Sequence, residues 1–255
     1  MNPKVTFIVP TYKRPELLFR CLSSIKMSMK IEYEIIVIDD SQEGEGASAA
    51  DTFSATYIKK SKFDRRGLAP NRNIGLNFAK GEFIVFIDDD DFYVTDDLET
   101  MIENADDVDM VCANYFIYNK DSLTPVDIGD FEIDKMLVNN QLPVGSFAIR
   151  RSAIKYFFDE EMASHEDWDF LLRNMFHWQV KHFKYFPIAI DKSNQFDASH
   201  STQIWERRWI EFLSVYARFP CPRLKLQRSE KLKTMGYECT PEMLAFEPYI
   251  NQRVF

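Results

Sequence analysis

Four carboxylates stand in a row at Asp88-Asp89-Asp90-Asp91, directly after the apolar run Phe83 to Ile87. Two unit charges about 5 Å apart repel by roughly 3 kcal/mol at an effective dielectric near 20. Four together are costly unless something cancels them. A divalent cation would do so, because hard cations take carboxylate oxygens. A solvated acidic turn that caps the next helix is the plainer alternative.

A second acid group, Glu166, Asp167 and Asp169, falls in the first turn of a helical pattern. One of these carboxylates could act as a general base on an acceptor hydroxyl. Acids at helix N-termini are also favoured by the dipole alone, so a structural role stays open. His165-Glu166 begins like the zinc-binding His-Glu-x-x-His helix, but Asp169 stands where the second histidine belongs. Arg72, in Asn71-Arg72-Asn73-Ile74-Gly75, suits a phosphate or a base edge, or an ion pair that holds the acidic loop. Pro10-Thr11-Tyr12 and Asp40 follow the two earliest strands, where an aromatic and an acid can hold a nucleotide base. Asp39 or Asp40 could instead cap the turn at Ser41. His200, beside Ser201-Thr202, could complete a metal site or contact a phosphate, or be a surface residue.

The elements that would carry these residues read as an α/β fold. Val5–Val9 and Tyr33–Ile38 are buried strands, and a helix opening at Pro15-Glu16 lies between them. Strand, helix and strand in this order form the unit of an open parallel sheet, whose ligands sit beyond the C-terminal strand ends. A short strand at Thr56–Ile58, a basic loop over 61–67 and a helix over Pro70–Ala79 lead to the acidic strand. Further strands are expected at Asp109–Ala113, Pro143–Ile149 and within Val180–Ile190, with short helices at Thr95–Ile102 and Arg151–Phe157. The segment 114–140 shows no clear pattern. After residue 200, aromatic residues recur at helical spacing, and eight Lys or Arg face three Glu between Trp205 and Met235. This tail reads as a helix packed on the domain or as an interfacial helix meeting a membrane surface.

The chain has 255 residues and a net charge of −9, which argues against a dedicated nucleic-acid binder. The four cysteines are scattered, so neither a zinc site nor a disulfide framework is expected. No run of 18 apolar residues and no charged leader are visible, so a cytoplasmic setting is expected, with peripheral contact at the inner face of the membrane as the alternative for the tail.

Five segments in order, VTFIVPTYKR (5–14), IIVIDDS (35–41), NRNIG (71–75), AKGEFIVFIDDDD (79–91) and EDWDFLLR (166–173), resemble the family-2 glycosyltransferases of the GT-A fold. The resemblance spans roughly residues 3 to 175. It implies a mostly parallel, Rossmann-like sheet flanked by helices, followed by a helical C-terminal extension. The expected division is a GT-A domain over 1–200, with a nucleotide-binding half to about 113 and an acceptor-binding half from 114, then a basic aromatic extension over 201–255. The implied activity is metal-dependent, inverting transfer of a sugar from a nucleotide-sugar donor, UDP by default, to a hydroxyl of a glycan or lipid-linked glycan.

Residue by residue, the resemblance puts Pro10, Thr11, Tyr12, Arg14, Asp40, Arg72, Asp88 and Asp89 on the donor. It puts Mn2+ or Mg2+ on Asp90, with His200 as a further ligand and Asp91 able to share the ion. Asp167 matches the catalytic base. Gly145, Glu166 and Trp168 are the acceptor-side candidates. A nucleotidyltransferase is the runner-up, although such enzymes usually carry a Gly-rich loop where this chain has PTYKRP. A non-catalytic nucleotide-sugar-binding scaffold is the third reading.

Overall fold

The computed structural model describes residues 2–162, 164–193 and 208–244. The chain runs β1 (Val5–Thr11), α1 (Pro15–Ser28), β2 (Tyr33–Asp39), α2 (Ala47–Thr52), β3 (Thr56–Lys59), α3 (Leu68–Phe78), β4 (Phe83–Phe86), β5 (Phe92–Tyr93) and α4 (Asp97–Glu103). It continues through β6 (Met110–Ala113), β7 (Tyr115–Asn119), β8 (Ser122–Val126), α5 (Ile133–Val138), β9 (Phe147–Arg150), α6 (Glu166–Met175), β10 (Val180–Phe183), β11 (Ile188–Asp191), α7 (Arg208–Arg218) and α8 (Lys225–Thr234).

The main sheet has the order β10-β6-β9-β4-β1-β2-β3 and is parallel except at β9, which runs antiparallel to both its neighbours. Successive residues of its central strands feed opposite cores. Phe7, Val9, Val37 and Val85 pack towards α1 and α4, while Ile8, Ile36, Ile38 and Phe86 pack towards α3 and α6. Both faces are covered, which explains the unbroken apolar runs of β1, β2 and β4. A four-stranded sheet, β5-β11-β7-β8, lies beside the end of β4. Each sheet takes strands from both sides of residue 113, so the two expected halves are interleaved in space.

Three local expectations are corrected. The strand placed at Pro143–Ile149 begins at Phe147, because Ser146 turns back to bond the Pro143 carbonyl at 3.2 Å and Gly145 is left-handed, with φ 85°. The helix placed over Arg151–Phe157 is a single 3-10 turn, Arg151–Ala153. The Asn174 carboxamide takes the next N–H groups, of Lys155 and Tyr156, and Asn73 takes that of Phe158, so no helix forms there. Gly145, expected on the acceptor side, is instead enclosed in the packing. The residue is buried, and a Cβ on it would lie 2.1 Å from Ile188 Cδ1, so it is a packing glycine. Gly145→Ala combines that clash with a positive φ and is expected to cost about 1–3 kcal/mol of stability, read as a lowered denaturant midpoint.

The basic tail packs on the domain wherever it is described. Phe212, Val215, Tyr216 and Phe219 of α7 and the following turn join the core that holds Trp168. No helix among the described residues is long and apolar enough to cross a membrane.

Candidate active site

The polar ends of β1, β2 and β4 meet at one sheet edge. Thr11 is in register with Asp39, the Asp40 N–H donates to the Thr11 carbonyl at 3.0 Å, and the Ile87 N–H donates to the Ile8 carbonyl at 3.2 Å. The four acids after β4 then diverge. Asp89 turns inward and is fully buried, accepting the Thr11 hydroxyl at 2.6 Å and an Arg14 N–H. Burial raises its pKa to about 7 even against the opposing pull of Arg14. Asp89 is therefore an internal brace rather than a donor contact, and Thr11 shares that role through its side chain.

The other three acids stay together. One carboxylate oxygen each of Asp88, Asp90 and Asp91 lie within 4.8 Å of one another. Burial first, and then the charge of Asp88, raise the pKa values of Asp90 and Asp91. Closely spaced hard oxygen donors whose ionised forms are held at a cost fit a divalent cation. Asp91, expected as an alternative ligand, thus belongs to the same cluster. Arg14 Nη1 donates to Asp90 at 2.7 Å, so this arginine ties the first loop to the acidic turn. Burial lowers the Arg14 pKa, but Asp89, Asp90 and Asp88 more than offset it.

Arg72 is 2% exposed and spans two segments of the site. Its Nη2 donates to Asp88 at 2.8 Å and its Nη1 to Glu166 at 2.7 Å, with the guanidinium 5.4 Å from the Phe158 ring centroid. It can sit so deep because Gly75, one turn on, lets α3 press against β1; a Cβ there would come within 2.3 Å of Ile8 Cγ2. The ion pair expected of Arg72, which is compatible with a ligand contact, is observed. Glu166, expected on the acceptor side, is buried and spent on this pair. Trp168 is also corrected: it is fully buried and donates its indole N–H to the Met136 carbonyl at 2.6 Å, so it is a core residue.

Asp167 is half-buried on the same helical turn. Its Oδ1 accepts the Trp168 N–H at 2.8 Å and its Oδ2 accepts Asn140 Nδ2 at 2.9 Å. Burial raises its pKa, and Arg72 opposes that rise. His165, which precedes the helix, is left-handed at φ 57°.

On the other flank, Asp40 is nearly buried. It accepts Asn71 Nδ2 at 2.9 Å and the Gly67 N–H at 3.0 Å, and pairs with the equally buried Lys60 at 3.0 Å. Asp39 caps the turn that follows β2, accepting from Ser41, Gly46 and Tyr57. Pro10 is a buried strand residue, whereas Tyr12 is 40% exposed, with the Lys13 ammonium 5.5 Å from its ring centroid. His200 lies outside the described residues.

Sequence reasoning missed several partners. Asn140 sits in the segment without a pattern. Lys60 precedes the basic loop and shows no periodicity that marks it as buried. Arg20 of α1 donates to the Asp90 carbonyl and, at 2.6 Å, to Asp191, whose own N–H donates to Asp91 at 2.9 Å. A polar residue ending β11, as at the other strand tips, was the available signal for Asp191.

Residues 6–157 match the family model described as glycosyl transferase family 2. That segment carries the first four of the five motifs and stops before Asp167. Among curated proteins, the chain is 32% identical over 117 residues to the putative glycosyltransferase EpsH of Bacillus subtilis, covering 45% of this chain and 34% of EpsH. It is 34% identical over 110 residues to the GalNAc(5)-diNAcBac-PP-undecaprenol beta-1,3-glucosyltransferase of Campylobacter jejuni, covering 41% and 35% of the two chains. It is 28% identical over 141 residues to the UDP-Glc:alpha-D-GlcNAc-diphosphoundecaprenol beta-1,3-glucosyltransferase WfgD of Escherichia coli, covering 54% of each. The matches to EpsH and the Campylobacter enzyme thus span about a third of those proteins.

The fold is shared with S. aureus TarS 1–349 in complex with UDP-GlcNAc, at TM-score 0.66 and 16% identity, over 90% of this chain and 71% of that one. It is also shared with the mannosyltransferase PcManGT of Pyrobaculum calidifontis in complex with GDP-Man and Mn2+, at TM-score 0.53 and 18% identity, over 98% and 70%. With the GT-A-type sheet and its acidic edge in place and more than half of its length matching one family model, the chain belongs to glycosyl transferase family 2, and so to the glycosyltransferases.

Proposed function

We propose that the protein transfers a sugar, with inversion, from a nucleoside-diphosphate donor to a hydroxyl of a glycan or lipid-linked glycan during surface polysaccharide assembly. The observation that carries this reading is the Arg72 bridge. It joins Asp88, in the carboxylate cluster, to Glu166, the neighbour of Asp167, and so sets a charge-binding centre beside a candidate base. A UDP-sugar is the first choice of donor, supported by the TarS complexes with UDP-GlcNAc and UDP and by the UDP-Glc donor of WfgD. The undecaprenol-linked acceptors named for WfgD and the Campylobacter enzyme support a lipid-linked acceptor.

In this reading Asp90 is the principal holder of Mn2+ or Mg2+, with Asp88 and Asp91 beside it. The ion would stabilise the charge that builds on the departing diphosphate. Tyr12 offers its exposed ring to the base, Asp40 accepts from the base edge, and Arg14 answers the phosphates. Asp167 takes the proton of the acceptor hydroxyl. The freed oxygen then attacks the anomeric carbon from the side opposite the leaving phosphate, and the configuration inverts in one displacement. Residues to about 113 would supply the donor side, residues 114–200 the acceptor side, and 201–255 an extension. Since the buried apolar face of α7 is spent on the domain, membrane contact by the described residues of the extension would fall to exposed side chains such as Leu226 and Lys233. A cytoplasmic setting, with such contact at the inner face of the membrane, completes the proposal. The nucleotidyltransferase and scaffold alternatives draw no support from the family match or from the Asp167–Asn140 pair.

Wild-type activity is expected to vanish in EDTA and to return with Mn2+ or Mg2+, whereas Asp90→Ala should not recover at any ion concentration. Chelator-insensitive turnover would overturn the metal assignment. Determination of the product anomer by NMR tests inversion separately, and a retained configuration would exclude the single displacement.

A further inference from the structure

We infer that the C-terminal extension is part of the catalytic apparatus, with α7 and α8 positioning both Asp167 and the Asn140 that holds it. The inference rests on the reading of Asp167 as the base.

The first argument is the end of α5. The last four carbonyls of any helix lack partners within it. In α5 the Lys135 carbonyl accepts the Asn139 N–H at 2.9 Å. The next three are taken by side chains from three other helices. Trp168 of α6 donates to Met136 at 2.6 Å, Arg228 of α8 to Leu137 at 2.9 Å, and Tyr216 of α7 to Val138 at 2.7 Å. Arg228 is 2% exposed and also donates to the Phe219 carbonyl, so it locks α8 to the end of α7 as well. Two residues beyond Val138, Asn140 accepts the Leu142 N–H at 3.1 Å and presents Nδ2 to Asp167. The extension thus fixes the strand of chain from which Asn140 reaches the base.

The second argument is the start of α6. Glu211 of α7 accepts the Ser164 hydroxyl and lies 3.5 Å from His165 Nδ1. The Phe212 ring stands 5.0 Å from both His165 and Trp168, on either side of the acid pair. Arg218, two turns along α7, donates to Asp169 at 3.1 Å and to Asp159 at 2.7 Å. One helix therefore holds α6 just before and just after Asp167. The left-handed His165 is the kind of costly backbone that persists only where its surroundings over-determine it, and these contacts supply that constraint.

The test uses the full-length protein, Mn2+, and whichever of the UDP-, GDP- or dTDP-sugars raises its melting temperature most. Release of nucleoside diphosphate is followed for wild type, Tyr216→Phe, Asn140→Ala, the double variant and Asp167→Asn. Tyr216→Phe removes one hydroxyl from the frame and keeps its ring. It is expected to lower kcat roughly tenfold, since a displacement near 1 Å can cost a hundredfold, with donor KM within about twofold of wild type. In the Asn140→Ala background the same substitution should have little further effect, because its route to the base is already cut. A wild-type kcat for Tyr216→Phe, or full additivity in the double variant, would reduce the extension to packing and overturn the inference. Turnover of Asp167→Asn at the wild-type rate would instead overturn the reading of the base, and the two failures are thereby distinguished. Glu211→Gln, with its melting temperature measured alongside, repeats the test at the start of α6: a lower kcat at unchanged donor KM supports the frame, and a lower melting temperature alone opposes it.

Discussion

Asp167→Asn is expected to lower sugar transfer by about 10²–10⁴-fold, the usual range for a lost general base, while nucleotide affinity in the presence of Mn2+ stays within about twofold. The substitution keeps shape and removes proton affinity; one acceptor oxygen becomes an NH2 donor, so the Trp168 N–H can still be accepted while the bond from Asn140 Nδ2 is lost. Arg72 and Asp88, on the donor side, do not touch Asp167 through any hydrogen bond described, so the donor site should survive. Calorimetric titration with nucleoside diphosphate separates the two quantities. The pH profile adds a sharper check. Burial raises the Asp167 pKa above the ordinary aspartate value of 3.8, with Arg72 and the Trp168 N–H opposing the rise and the charge of Asp88 adding to it. A base works deprotonated, so kcat/KM should fall as pH drops through a value above 3.8, and that acid limb should disappear from the residual activity of Asp167→Asn. A limb that persists unchanged in the variant would assign the titration to another group.

What the sequence made readable, and what it hid, divides along a physical line. β1, β2 and β4 were legible because burial on both faces writes an unbroken apolar run, and because polar residues mark where each run leaves the sheet. The helix carrying Asp167 was legible from its apolar spacing. Contacts between distant segments were not. Nothing local tells that Arg72 meets Glu166, 94 residues away, or that β9 inserts antiparallel between β4 and β6. Proximity in sequence to a motif also misled. Trp168 follows the acid pair and Gly145 falls in the strand expected at Pro143–Ile149, yet one is core and the other is a left-handed glycine packed against Ile188. Asp89 shows the same limit within the acidic row: identical residues at adjacent positions face different ways, and only the one between Asp88 and Asp90 is buried against Thr11.

Arg72→Met should be the most damaging single change to stability outside the apolar core. Removing one partner of a buried ion pair leaves an uncompensated charge and costs about 3–5 kcal/mol. Here one guanidinium answers two carboxylates. Asp88, with its side chain 29% exposed, can regain water, but Glu166, at 11%, cannot. Glu166 will therefore take up a proton in the folded variant, and this fixes the sign of the pH dependence. Its pKa already lies above the ordinary 4.5, raised by burial and lowered in part by Arg72; without Arg72 it must rise further. A folded state that binds more protons than the unfolded one loses stability as pH increases. The deficit of Arg72→Met should thus be small near pH 4.5 and widen towards neutrality, as measured by denaturant midpoints across that range. Arg72→Met with Glu166→Leu should recover part of the loss, because neither buried partner is then left alone. Arg72→Lys should fall between the two, since one ammonium lacks the planar fork that reaches both Asp88 and Glu166. A pH-independent deficit, or no recovery in the double variant, would mean that Glu166 is hydrated in the folded protein and that the bridge between the carboxylate cluster and the base helix is not what holds them together.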